Sequence, residues 1–273
     1  MAAFQQSELC LKSRVADPII DDPNRDFGGR APRAAEVRQE RSRMSQYILP
    51  HHVFVCYEGE HVVFLDVQQD RYFALERALF CGLDKIVRGW PDTGDPQNPR
   101  PALVELLLNK GLLVPADRTG KDAAPVSCAA PLQELTAESW AESVNIRPIH
   151  VYRFCGAVLS ARLSLRVSRF ERIVRRATEK LVHARMARLD LRGIHELIAI
   201  FAWLRPFAFT SKDACLFEAL ALRSFLARFG AHVKWVFGVQ ATPFAAHCWL
   251  QHGDYVLNDG VSRVRRYTPI MCI

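Results

Sequence analysis

The 273-residue chain has no run of about 18 uninterrupted apolar residues, the length a membrane-spanning helix needs. Its longest apolar-rich stretches, around 197–204 and 216–226, are too short or are broken by charge. The opening residues, MAAFQQSELC, lack the basic start and apolar run of a secretory signal. The expected location is therefore the cytoplasm, with reduced thiols and no membrane partner. No CxxC pair occurs among the eight cysteines, which stand at 10, 56, 81, 128, 155, 215, 248 and 272. Nor does any His/Cys cluster have short metal-ligand spacing, so no metal site is expected. A GxxxxGK[ST] phosphate loop is missing as well, and no cofactor motif replaces it. Internal repeats and low-complexity tracts are also absent.

What is there fits ordinary globular protein. Apolar residues make up 49% and charged residues 24%, far from the disordered class. The length suits two modest domains, each able to bury a core without disulfides. In a reducing compartment most of the cysteines should be small buried side chains, with at most one needing a chemical reason. The formal charge is +7, and the excess is local. Arginines recur at 153, 162, 166, 169, 172, 175, 176, 185 and 188 with few acids between them. A solvated helix face is the favoured reading of that segment, ahead of a nucleic-acid or membrane surface.

Texture divides the chain. Residues 1–45 are polar, rich in Arg, Asp and Pro, and aperiodic, which reads as a disordered or loosely attached extension. A first domain is expected over 46–116. It begins with short β-rich runs at 52–57 and 61–67 joined by Glu58-Gly59-Glu60, a hairpin signal, and a third run at 71–75. A helix over 76–88 and a second from Pro101 to Lys110 follow, the latter stopped at Gly111, where a left-handed cap belongs. Leu103, Leu106 and Leu107 give that helix an apolar stripe, and a short strand over 112–114 closes the domain. Three strands with two helices predict a winged-helix-like module. Residues 117–138 read as a linker, and 139–273 as the second domain. There Leu163, Val167, Phe170, Val174, Ala177 and Leu181 step by three and four along one helical face. A further helix is expected over 191–203. Thr210-Ser-Lys-Asp213 has the form of a capping box opening another, which Gly230 stops. Three strands follow, at 233–237, 246–251 and 255–259.

Chemistry concentrates in this last segment. Cys215 falls in the first turn of its helix, where unpaired N–H groups and the dipole favour thiolate, the nucleophilic form. His247 lies on a strand soon after. A thiol at a helix start facing an imidazole on a strand is a papain-like arrangement. With a three-residue turn at 252–254, His247 and Asp259 become cross-strand neighbours, and the carboxylate can orient the ring. A two-residue turn at 252–253 places Asn258 opposite His247 instead, so both residues stand as orienting groups. Cys248 adjoins His247 and by period two should point the other way, into the core.

The stretches 214–223 (ACLFEALALR), 237–239 (FGV), 243–244 (PF), 246–250 (AHCWL) and 256–259 (VLND) resemble the transglutaminase-like leader peptidases of lasso-peptide biosynthesis, the maturation protein B family. The stretches 62–66 (VVFLD), 71–75 (RYFAL) and 111–113 (GLL) are similar to that family's leader-recognition module, a winged-helix domain related to the pyrroloquinoline-quinone chaperone. The resemblance covers about 47–115 and 140–273. It implies an α+β protein in two parts: a winged-helix-like peptide-recognition domain, then a papain/transglutaminase-like cysteine protease domain. It implies a triad of Cys215, His247 and Asp259. It also implies a leader peptide added as a strand beside Arg71, Tyr72, Phe73 and Leu75, against a helix bearing Leu103 and Leu107. The implied partners are a precursor peptide and an asparagine-synthetase-like lasso cyclase. The family is linked to ATP, and without a phosphate loop here any such requirement is expected to lie with the cyclase. Nucleic acid is disfavoured because the helix 101–110 carries one cation, Lys110.

Overall fold

The computed structural model describes residues 46–91, 98–135, 145–183, 190–209 and 215–273, the side chains of 180–183 excepted. The expected extension over 1–45 and the capping box at 210–213 lie outside the described residues. The described residues divide into two compact units, one holding 46–66 and Arg71–Pro125, the other Val67–Asp70 and the described part of Val126–Ile273.

In the first unit, β2 (Val53–Glu58), β3 (His61–Asp66) and β4 (Arg71–Glu76) form an antiparallel meander in spatial order β2-β3-β4. Glu58 pairs with His61, so the hairpin turn is two residues long, with Gly59 at φ 55 supplying the left-handed geometry. Period-two alternation sends Val53, Val55, Val62 and Phe64 into one core, against which Phe73 and Leu75 pack partly buried. The helix α1 (Pro101–Asn109) covers it with Leu103 and Leu107. Its end is a Schellman motif: Gly111 at φ 69 donates to Leu108 O, and Leu112 to Leu107 O, at 2.9 Å each. The first strand, β1 (Tyr47–Ile48), pairs with β5 (Val114–Pro115), so the closing strand starts two residues later than expected and leaves Leu112 and Leu113 in the core.

Two expectations for this unit fail. Residues 76–88 are not an α-helix but two 3-10 turns, Arg77–Phe80 and Leu83–Lys85, parted by Gly82 at φ 76. The left-handed glycine interrupts the helical hydrogen bonds, while Phe80, Leu83 and Val87 still reach the core. Among the described residues the unit thus has one α-helix where the winged-helix reading expects two. The α1 stripe is also narrower than its spacing implied: Leu106 is 42% exposed, whereas Leu107 is fully buried.

The second unit carries a five-stranded sheet in order β10-β7-β8-β9-β6, from β6 (Gln133–Glu134), β7 (Lys234–Gln240), β8 (Ala245–His252), β9 (Tyr255–Val256) and β10 (Thr268–Cys272). Only β6 pairs in parallel, with β9. The stretch expected as linker is therefore divided. Lys121 bonds to Leu49 in the first unit, and 133–134 form a strand of this sheet.

Helices α2 (Pro148–Val167), α3 (Phe170–His183), α4 (Leu191–Leu204) and α5 (Cys215–Ala227) accompany the sheet. The stripe from Leu163 to Leu181 was expected on one helix. Ser168, at φ −104 and ψ 140, breaks it in two, and Leu163 and Val167 are exposed, while Val174 and Ala177 are buried. Asp190 caps α4 by accepting the Gly193 N–H at 2.9 Å. Phe154, Phe201 and Phe225 meet at centroid distances of 5.3–6.4 Å, locking α2, α4 and α5 into one layer. Arg166, Arg169, Arg172 and Arg176 face solvent. No described helix is long and apolar enough to cross a membrane.

Because Leu107 fills the first unit's core, Leu107→Ala should cost about 2–5 kcal/mol. Leu106→Ala should stay within about 0.5 kcal/mol. Urea unfolding followed by hydrogen exchange of α1 measures both, and equal effects would contradict the packing described.

Candidate active site

Cys215 is the first described residue of α5, and α5 packs across β8. The strand β9 pairs with β8 only at Gln251 and His252. Beside His247 and Cys248, β8 therefore has no strand on that edge among the described residues. The Cys215 sulfur sits there, hydrogen-bonded to the His247 ring, to the Cys248 thiol and to the Cys248 backbone N–H.

The ring is held from its far side. His247 Nε2 lies 2.5 Å from Asp259 Oδ2, which leaves Nδ1 for the thiol. Asp259 accepts the Gly260 N–H through Oδ1 at 2.8 Å, and the Arg263 guanidinium stands 3.8 Å from Oδ2. Of the two orienting groups that the sequence left open, Asp259 is the one in contact with the ring. Asn258 Oδ1 accepts the Leu250 N–H at 2.8 Å and so caps the edge of β8. The route to this result differs from both registers considered. Gln251 pairs with Val256 and His252 with Tyr255, so the turn is Gly253-Asp254, with Gly253 at φ 62. Continuing that ladder would put Asp259 opposite Cys248. The chain instead leaves β conformation after Val256, and the bend over 257–259 returns the carboxylate to His247.

The electrostatics follow from these contacts. The Cys248 thiol hydrogen bond lowers the Cys215 pKa most; burial opposes it, and His247 adds its hydrogen bond and charge, bringing the thiol to about 4. Burial pulls the His247 ring down, but hydrogen bonds to Asp259 and Cys215 outweigh it and raise the ring to about 8. Burial likewise pushes Asp259 up and is overcome by the His247 hydrogen bond, leaving the carboxyl below its usual range. Between about pH 4 and 8 the pair is thiolate and imidazolium. Such a pair is a thiol nucleophile with its proton donor already charged.

Cys248 is buried at 2% exposure, as expected, yet it does not point away from the site. Burial and the neighbouring Cys215 charge hold its own thiol protonated, so it donates to the nucleophile and does not compete with it. Two aromatic neighbours of the imidazole went unread in the sequence. Tyr267 lies 5.2 Å from the ring centroid, and Trp249 stacks at 6.2 Å and 25°. Gly238 faces His247 across β7–β8, and a Cβ there would come within 2.8–2.9 Å of Tyr267 and Trp249. A glycine inside an apolar strand was the available signal of such a close approach. One turn beyond the thiol, Glu218 accepts from Arg205 Nη1 at 2.8 Å, tying the start of α5 to the end of α4.

The other candidate residues lie in the first unit. Arg71 is exposed, Phe73 and Leu75 are half-buried on the edge strand β4, and Tyr72 is buried. Leu103 and Leu107 belong to the core, so they support the neighbouring surface and do not offer contact area themselves.

With this geometry in place, the family model of the transglutaminase-like superfamily matches residues 155–272, from within α2 to the end of β10. The second unit thus carries a transglutaminase-like domain, consistent with cysteine-based catalysis. No curated protein and no solved structure matches the chain.

Alkylation of Cys215 by iodoacetamide, read by peptide mass against pH, should show a titration midpoint near 4. Removing the imidazole in His247→Ala should raise the midpoint towards about 8.5, the value of a free thiol. Cys248→Ala should move it in the same direction. A wild-type midpoint at the free-thiol value would rule out the ion pair.

Proposed function

We propose that this protein is a leader peptidase of lasso-peptide maturation, cutting the amide between leader and core of a ribosomally made precursor. The observation that carries the reading is the Cys215–His247–Asp259 contact chain at the start of a helix. Cys215 thiolate attacks the carbonyl of the last leader residue, and His247 protonates the departing core amine. Water, deprotonated by the now neutral His247, then hydrolyses the thioester and frees the leader as a carboxylate. Asp259 keeps the ring oriented and stabilises its cationic form. The Cys215 backbone N–H is assigned to the developing oxyanion.

Leader recognition is assigned to the first unit. The strand β4 is the last of its sheet in the order β2-β3-β4, with no further strand beside it among the described residues. An extended leader can add there as a fourth strand. Arg71, Phe73 and Leu75 then supply contacts, and Lys110, 5.8 Å above the Phe73 ring, marks the α1 side. Leu103 and Leu107 shape that surface from beneath, and Tyr72 lies on the other face of β4. A cyclase that closes the ring is the expected partner, and any ATP requirement belongs with it.

Purified protein is incubated with a precursor peptide and the products are weighed by mass spectrometry. Wild type should release a leader ending in a free carboxylate. Cys215→Ala should bind the precursor and leave it whole, and Asp259→Ala should lower kcat/KM by roughly 10²–10⁴. Phe73→Glu should raise the Kd for leader while leaving alkylation of Cys215 intact. Undiminished cleavage by Cys215→Ala would refute thiol catalysis. Leader appearing only as an amide, when an amine is supplied, would turn the reading to acyl transfer.

A further inference from the structure

A second pair of thiols lies away from the candidate triad. Cys128 and Cys272 are 144 residues apart in sequence, yet their sulfurs lie 3.7 Å apart. Cys128 sits on irregular chain between exposed Ser127, Ala129 and Ala130. Cys272 is near the end of β10, opposite Val236 of β7. Both are half-buried, so small solutes can reach them. Both pack against the small core of Val236, Trp249, Val256 and Val264, and polar groups also reach the pair. The Cys128 thiol faces Gln251 Oε1 at 3.9 Å, and the Lys234 charge acts on both sulfurs. Gln251 donates to Ala129 O at 2.7 Å and Arg265 Nε to Pro131 O at 3.0 Å, which holds the segment carrying Cys128 on this unit.

We propose that Cys128 and Cys272 form a reversible disulfide, a redox modification site whose oxidant is a low-molecular-weight disulfide such as oxidised glutathione. Cys128 is the attacking thiol: the hydrogen bond from Cys272 and the Lys234 charge, acting against burial, lower it to about 7. Its thiolate attacks one sulfur of the oxidant, giving a mixed disulfide and expelling one thiolate. Cys272 then attacks the Cys128 sulfur, loses its proton to solvent and expels the second thiolate. The protein loses two protons and two electrons, and the oxidant becomes two thiols. Closing the sulfurs from 3.7 Å to about 2.05 Å needs a small movement, which irregular chain around Cys128 can make. The bond closes a very long loop, so it should stabilise this unit strongly. It also staples the segment entering the catalytic unit to β10. That segment meets Gln251, whose Oε1 accepts the N–H of Trp249, the indole stacked on His247.

The test uses full-length Cys215→Ala protein, so that the candidate nucleophile does not consume oxidant. After treatment with oxidised glutathione, remaining thiols are blocked and the protein is digested for peptide mapping. The expected result is one linked pair, Cys128 with Cys272, reversed by dithiothreitol, and a Tm higher by roughly 5–10 °C. In the same background Cys272→Ser should trap glutathione on Cys128, and Cys128→Ser should slow modification of Cys272 by about tenfold. Circular dichroism under reducing conditions confirms that these variants fold, and the map of the parent protein decides independently of them. Recovery of Cys128 and Cys272 as blocked free thiols, or linked to other cysteines, would overturn the proposal.

Discussion

A charged sulfur tucked between a helix and a sheet is the costly element here, and much of the surrounding structure compensates it. Burying a charge is unfavourable unless hydrogen bonds and an opposite charge replace lost water. Cys215 receives both, from the Cys248 N–H and thiol and from the imidazolium of His247. The imidazolium is in turn neutralised by Asp259, whose second oxygen is anchored on the Gly260 N–H. The contacts to the Cys215 sulfur are lost if α5 shifts on β8. The packing of Phe154, Phe201 and Phe225, with the Arg205–Glu218 pair, therefore holds the Cys215 helix in place from a distance.

The imidazole is set by shape as well as charge. Trp249 and Tyr267 flank it, and Gly238 leaves the space that lets them approach. Trp249 then donates to Gln251, which holds the irregular segment bearing Cys128. One strand, β8, thus contributes His247, Cys248, Trp249 and Gln251 to two thiol sites. The two sites differ in what surrounds the sulfur. At Cys215 a cationic ring stabilises the thiolate, and the neighbouring Cys248 is kept protonated by burial. At Cys128 the neighbouring Cys272 thiol is only half-buried, and its hydrogen bond to Cys128, with burial, holds it protonated.

The first unit shows where periodicity misleads. Phe80, Leu83 and Val87 are spaced as on a helix and are all buried, but Gly82 in the left-handed region breaks the backbone between them. Core burial constrains side-chain positions, and a pair of tight turns satisfies it as well as a helix does. Leu163 and Val167 show the converse. Their spacing matches a buried stripe, but the extended Ser168 ends α2 after Val167 and leaves both in solvent. Leu106 likewise shares the spacing of Leu103 and Leu107 without sharing their burial.

Local chemistry was enough to read the hairpin at Gly59, the cap at Gly111, the extent of α4 and the pairing of a helix-start cysteine with a strand histidine. Each rests on residues a few positions apart or on a backbone preference that one side chain imposes. The choice of Asp259 over Asn258, the approach of Cys248 to the thiol, the flanking Tyr267 and the meeting of Cys128 with Cys272 were decided only by the tertiary fold. Those contacts depend on a one-residue turn register, on where β9 stops and on chain segments distant in sequence. No local pattern encodes them, because they arise when separate elements pack against one another.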